Sequence, residues 1–240
     1  MKLSTILIIT GMFIISLYCL IEVSYYASQI NVENNITKTS IVSIPSLDIN
    51  QKINNKSVSY GVYHEPESYK PGKGTVIIFG HRTLYGSPFL KLDKLKKGDT
   101  VFLDWAGIGK VEYIVNRSFV VPASYRISVK QGKKLFLITC HPLGSTKDRL
   151  IVEAQFKKIY PFQKILTYDN PQSYYALIII LGFLIGGLSA TYLYPVDDDK
   201  IWLLIATIGL SLFLTLGYLF PIPPEFISTQ LSNINNIFGI

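Results

Sequence analysis

Three stretches of the chain are apolar and free of charge over lengths that no amphipathic helix requires. They are Leu3 to Ile21 (LSTILIITGMFIISLYCLI), Tyr174 to Tyr194 (YYALIIILGFLIGGLSATYLY) and Ile201 to Phe220 (IWLLIATIGLSLFLTLGYLF). Each approaches the roughly 20 residues a helix needs to cross a hydrocarbon core of about 30 Å. Tyrosines and a tryptophan stand at their edges, where the headgroup zone favours them. The first run is longer than the apolar core of a secretory leader and no small-x-small cleavage site follows, so an uncleaved anchor is expected. The last two are separated only by PVDDDK and predict a membrane hairpin with an acidic tip.

Between the anchor and the hairpin the pattern changes to short runs with β-type alternation. IVSIPSLDINQKI, TVIIFG, TVFLDW, GKVEYIVNRSFVV, KLFLIT and RLIVEAQFKKIY are each bounded by Gly, Pro, Asp or Ser. In SPFLKLDKLKKGD, residues 87–99, Phe89, Leu92 and Leu95 recur at a spacing that predicts a short amphipathic helix. The fold class expected is mainly β, a closed or nearly closed barrel with short helices, plus three transmembrane helices. The expected domain plan is an anchor at 1–23, a linker at 24–40, the barrel at 41–160, a linker at 161–173, spans at 174–194 and 201–220 joined by 195–200, and a tail at 221–240.

Charge follows the same division. Residues 24–173 hold 21 of the 23 Lys and Arg and 11 of the 16 Asp and Glu, a balance of about +10. The lysines are scattered and no basic run is interleaved with aromatics, so nucleic acid is not an expected partner. A solvated basic face near an anionic surface is the simpler account. Only Lys2, with the amino terminus, and Lys200, opposed by three aspartates, flank the spans, and the loop-charge rule therefore says little about orientation.

Cysteine is scarce. Cys19 lies inside the first apolar run, where it serves as a small hydrophobe, and Cys140 is the only other one. A lone thiol without a disulfide partner in its domain is a candidate nucleophile. It stands at the end of the run KLFLIT, and His81 stands in the equivalent place after TVIIFG, so two reactive side chains are delivered from strand ends onto one rim. Arg149 opens the next strand, and a hairpin would return it beside Cys140. Taken singly, each has an ordinary explanation: a surface histidine, an inert packed cysteine, a surface ion-pair partner. Together, in a domain with a single cysteine, they favour catalysis. A thiolate needs nearby positive charge to lower its pKa, and His81 and Arg149 are the cations available. His141 adjoins Cys140, but side chains of neighbouring strand residues point to opposite faces, which leaves it a supporting role at most. The same alternation makes Arg82 structural rather than catalytic.

These residues resemble a known family. GTVIIFGHRTLYGSPFLKLDKLKKGD and LFLITCHPLGSTKDRLIVEAQF are similar to the two signature regions of the sortases, membrane-anchored cysteine transpeptidases of cell surfaces. The T-C-x-P core is met by Thr139, Cys140, His141 and Pro142, with Arg149 following, and IPSLDIN is similar to the family's first strand. GHRTLYGSPF with TCHP is most similar to the class E group. The resemblance implies an eight-stranded β-barrel, Cys140 as nucleophile, His81 as the acid that protonates the leaving amine, and Arg149 as donor to the oxyanion or substrate backbone. It further implies substrate contacts at Tyr85, linked to a preference for alanine over proline, and at Thr139 and His141. His64 matches a position often occupied by histidine, without a firm role. No cofactor and no metal is expected.

The implied partners are secreted proteins bearing a C-terminal LPxTG or LAxTG sorting signal, an amine acceptor on the cell envelope or a pilin-like protein, and the membrane. The implied location is the cell membrane, multi-pass, with the catalytic domain extracellular, and the amino terminus and PVDDDK tip cytoplasmic. The two-helix C-terminal hairpin departs from the family's usual anchoring. Two alternatives, another cysteine peptidase or transpeptidase and a metal-binding membrane module, differ in pattern. Papain-like peptidases place Cys before His in the chain, and L,D-transpeptidases place arginine two residues after cysteine. A metal-binding module built on Cys140, His141, His81 and His64 matches no common zinc spacing.

Overall fold

The computed structural model of the protein describes residues 2–33, 40–161, 174–224, 226–227 and 229–230. The expected linker residues 34–39 and 162–173, and tail residues 231–240, lie outside the described residues. The chain forms two compact units, Met1–Asn35 with Asp169–Ile240, and Ile36–Tyr168.

The first unit holds three helices long and apolar enough to cross a membrane: α1 (Leu3–Glu33), α2 (Tyr175–Leu193) and α3 (Asp197–Leu219). Helix α1 continues past its apolar run, and Asp197–Lys200, expected as loop, forms the first turn of α3, where three aspartates complement the positive end of the helix dipole. Small residues let the helices approach closely. A Cβ at Gly187 would come within 2.6 Å of Thr207, and one at Gly217 would overlap Leu20. At one end a polar latch joins α1 to the hairpin: Asp199, 5% exposed, accepts hydrogen bonds from the Lys2 backbone N–H (2.8 Å) and from Thr5 Oγ1 (2.6 Å). The Thr5 hydroxyl in turn lies 2.7 Å from the Tyr194 hydroxyl.

The second unit is a closed eight-stranded barrel. Its strands are β1 (Ser40–Ile44), β2 (Ile49–Asn54), β3 (Val62–His64), β4 (Val76–Phe79), β5 (Thr100–Trp105), β6 (Gly109–Pro122), β7 (Lys134–His141) and β8 (Asp148–Tyr160). Around the barrel they run β1-β2-β3-β4-β7-β8-β6-β5, with β4 and β7 parallel and β7 and β8 antiparallel. Because side chains alternate along a strand, two apolar faces result. The interior is filled from every strand by residues that include Val42, Ile44, Val62, Val76, Ile78, Leu103, Val111, Leu135, Leu137, Leu150 and Val152. Outside the same wall, Ile77, Phe136, Ile138 and Ile151 form a smaller cluster, covered by Phe79, Phe119, Val121, Ile127 and Val129.

Two sequence expectations are corrected here. IVSIPSLDINQKI is a hairpin of two strands, because Pro45–Leu47 forms a 3-10 turn and Asp48 takes a left-handed conformation (φ 55°). Residues 87–99 form no α-helix, only a 3-10 turn at Leu92–Lys94. Phe89, Leu92 and Leu95 are nonetheless buried in the barrel, since spacing by three also suits successive tight turns.

Candidate active site

The β4–β7–β8 wall brings the three predicted side chains into one row. In β4 and β7, Phe79 pairs with Ile138; the Gly80 N–H donates to the Ile138 carbonyl (3.1 Å), and Thr139 Oγ1 donates to the Gly80 carbonyl (2.8 Å). Carried one residue past these bonds, the same alignment puts His81 level with Cys140. In β7 and β8, Cys140 is the direct cross-strand partner of Arg149. Parity then fixes the face. Cys140 alternates with Phe136 and Ile138, and Arg149 with Ile151, so both lie on the outer face of the wall next to the smaller apolar cluster; the alternation of Ile77 and Phe79, carried two residues past the end of β4, points His81 to the same face.

Each member has its own surroundings. Cys140 is a free thiol, partly exposed. Arg149 Nη1 donates to the carbonyls of Thr146 (2.8 Å) and Asp148 (3.1 Å), which steadies the guanidinium while its fork holds further N–H donors. The His81 ring packs against Tyr85, with centroids 4.9 Å apart, and its Nε2 is buried with no hydrogen-bond partner among the described residues. Burial pushes the His81 pKa down from the usual 6.5 to about 4, because an imidazolium there loses its hydration.

The loop after His81 folds back on the strand end. The Phe89 N–H donates to the His81 carbonyl (3.1 Å), and Phe89 fills the space left by the missing side chain of Gly80, where a Cβ would sit 2.5 Å from its ring. Tyr85, Gly86 and Ser87 all have positive φ (54°, 73° and 45°). For a bulky residue such as Tyr85 that conformation is strained, and persists only where surrounding contacts over-determine it.

A family model for the sortase domain matches residues 38–157, half of the chain. The chain belongs to the sortase family. Among solved structures it is similar to sortase A from Corynebacterium diphtheriae (25% identity, 52% of this chain and 63% of that one, TM-score 0.46). It is also similar to sortase C from Clostridium perfringens with the C-terminal cell wall sorting motif (27%, 50% and 70%, TM-score 0.45) and to sortase E1 from Streptomyces coelicolor with a tripeptide in the active site (24%, 50% and 88%, TM-score 0.45). The chain thus spans less than two thirds of the Corynebacterium structure. No curated protein sequence matches it significantly.

The remaining expected contacts of this sortase sit behind the row rather than in it. Tyr85 and Thr139 are 1% and 2% exposed, and the Thr139 hydroxyl donates to the Gly80 carbonyl. His141 shares the parity of Leu135 and Leu137 and turns inward, where Arg82 Nη1 meets its Nδ1 at 3.2 Å. His64 is 8% exposed; its Nε2 lies near the Ser68 hydroxyl (3.1 Å) and the Tyr69 carbonyl (3.3 Å), and its ring packs on Trp105. The apolar cover provided by Ile127 and Val129 of the β6–β7 connection is not among the expected site residues. Its only signal is the short alternation in RISVK.

Proposed function

We propose that the protein is a membrane-anchored sortase transpeptidase that cleaves an LPxTG- or LAxTG-like C-terminal sorting signal between Thr and Gly. The observation that supports this reading is the strand register, which pairs Cys140 with Arg149 across β7 and β8 and runs β4 alongside β7 to a point two residues short of His81. The Cys140 thiolate attacks the threonine carbonyl carbon; a C–S bond forms and the C–N bond to glycine breaks. His81, as the imidazolium, gives its proton to the leaving amine. An acceptor amine then attacks the thioester, the C–S bond breaks, and the amine's proton returns to His81. Such splitting of one acyl transfer into two steps is nucleophilic catalysis, and Arg149 stabilises the charge that develops on the carbonyl oxygen. Phe79 and Val129, the partly exposed cover of the smaller apolar cluster, offer a surface for the signal's leucine. The class E resemblance supports the LAxTG variant. Acceptors are amines of the envelope or of another surface protein; the three apolar helices support a multi-pass location, and the transpeptidase reading calls for the barrel outside.

Burial of His81 also predicts slow turnover. The productive thiolate–imidazolium pair needs the histidine in the form its surroundings disfavour, so that pair is a minority state. The experiment is direct: the full chain in detergent is incubated with LPxTG and LAxTG peptides and a small amine. A peptide–amine product that is lost in Cys140→Ala is expected. Product formation by Cys140→Ala, or hydrolysis alone at saturating amine, would overturn the assignment.

A further inference from the structure

Behind the outer row lies a second one. Side chains of consecutive residues point to opposite faces of the wall, so the residues just beyond the site, Arg82 after His81, His141 after Cys140, and Asp148 across from His141 on β8, share the inner face. Arg82 is 6% exposed, which is rare for an arginine unless it is well paired. Its Nη2 meets Asp93 Oδ1 at 3.1 Å, its Nε reaches the Leu90 carbonyl at 3.5 Å, and its Nη1 meets His141 Nδ1 at 3.2 Å. A guanidinium has no acceptor, so Nδ1 accepts this bond.

We infer that Arg82 is a positioning residue: anchored by Asp93, it clasps His141 Nδ1 and thereby holds Cys140 opposite His81. The catalytic pair sits between two ties joining the β4 and β7 ends. On one side the Thr139 hydroxyl bonds the Gly80 carbonyl (2.8 Å); on the other Arg82 bonds His141 (3.2 Å). Beyond Phe79 the regular β4 ladder has ended, so without the clasp His81 would be held by the first tie and by the loop alone. Asp93 lies in the 3-10 turn that follows Phe89. The clasp therefore also joins the folded-back loop to the nucleophile's strand. Neither Arg82 nor His141 touches substrate in this arrangement. A loss of alignment of about 1 Å is enough to slow an acyl transfer strongly while leaving substrate affinity intact.

The inference rests on the transpeptidase reading, and its test separates the two by including a readout that needs no substrate. Four full-length proteins in detergent are compared: wild type, Arg82→Gln, His141→Phe, which keeps ring volume but offers no acceptor, and His141→Asn, whose amide oxygen can accept from Arg82. The first readout is peptide–amine turnover; the second is the pH–rate profile of Cys140 alkylation by iodoacetamide, mapped by peptide mass. Arg82→Gln and His141→Phe should each lower kcat by about tenfold or more with KM within twofold. They should also displace the alkylation profile in the same direction, and His141→Asn should recover most of both effects. Alkylation profiles that coincide across all four proteins overturn the clasp, whether or not wild type turns over peptide. So does a His141→Asn loss as deep as that of His141→Phe. If Arg82→Gln fails to fold, the two His141 variants decide.

Discussion

His81 should make the barrel's stability depend on pH in a window that no ordinary histidine would produce. Its Nε2 is buried without a partner among the described residues, and burial holds its pKa at about 4 against the usual 6.5. At about 1.4 kcal/mol per pH unit, that gap corresponds to about 3 kcal/mol. The folded pKa is the lower one, so between pH 6.5 and 4 the unfolded chain carries a proton at this position that the native chain lacks. This contribution is therefore complete above pH 6.5, is lost as pH falls through the window, and levels off below about 4. The perturbation is His81→Gln, which cannot titrate. Urea unfolding of the full chain, followed by Trp105 fluorescence in a Trp202→Phe background, is run from pH 8 to 3.5. Burial also lowers the His64 pKa, but that contribution is common to both proteins and cancels in the difference. Wild type minus variant should fall by about 3 kcal/mol from pH 7 to 4. A flat difference, or an NMR titration of His81 with a midpoint near 6.5, would refute the reasoning and with it the expectation of slow turnover.

Three further outcomes follow from other contacts. Gly80→Ala should destabilise the barrel by about 1–3 kcal/mol and depress activity, because the new Cβ drives Phe89 and the His81 loop apart; the thermal midpoint and turnover check it. Glu153, 2% exposed, would have its pKa raised by burial, yet hydrogen bonds from Lys134 and Arg117 (2.7 Å each) hold it below the usual carboxylate range. Its contribution is present above that range and lost as pH falls below it, so Glu153→Gln should cost about 1–3 kcal/mol near pH 7 and lose part of the wild type's acid sensitivity below pH 4, measured by urea unfolding. Asp199→Ala should lower the thermal stability of the membrane unit in detergent, since the Lys2 N–H and the Thr5 hydroxyl lose their acceptor.

The candidate site was largely legible because strand alternation and strand ends are written in local pattern. KLFLIT and TVIIFG announce strands, and the residues that follow them, Cys140 and His81, inherit a face from that alternation, opposite to that of His141 and Arg82, which meet each other. The β1–β2 hairpin was missed because Pro45–Leu47 preserves an apolar–polar rhythm through its turn. β3 was missed because three residues carry no period. The false helix at 87–99 arose because Phe89, Leu92 and Leu95 obey a spacing that tight turns share with helices. The burial of Tyr85 and Thr139 could not be read either, since sequence conveys identity but not depth. The Arg82–Asp93 ion pair had no signal at all, because a loop must first fold back for residues 82 and 93 to meet.

The central claim is that Cys140 carries the acyl group. Intact mass of the full chain mixed with an LAxTG or LPxTG peptide in the absence of added amine should reveal one adduct of the peptide's acyl portion. Peptide mapping should place it on Cys140, hydroxylamine should release it, and Cys140→Ala should lack it. Turnover without such an adduct, or an adduct that maps elsewhere, would contradict the account.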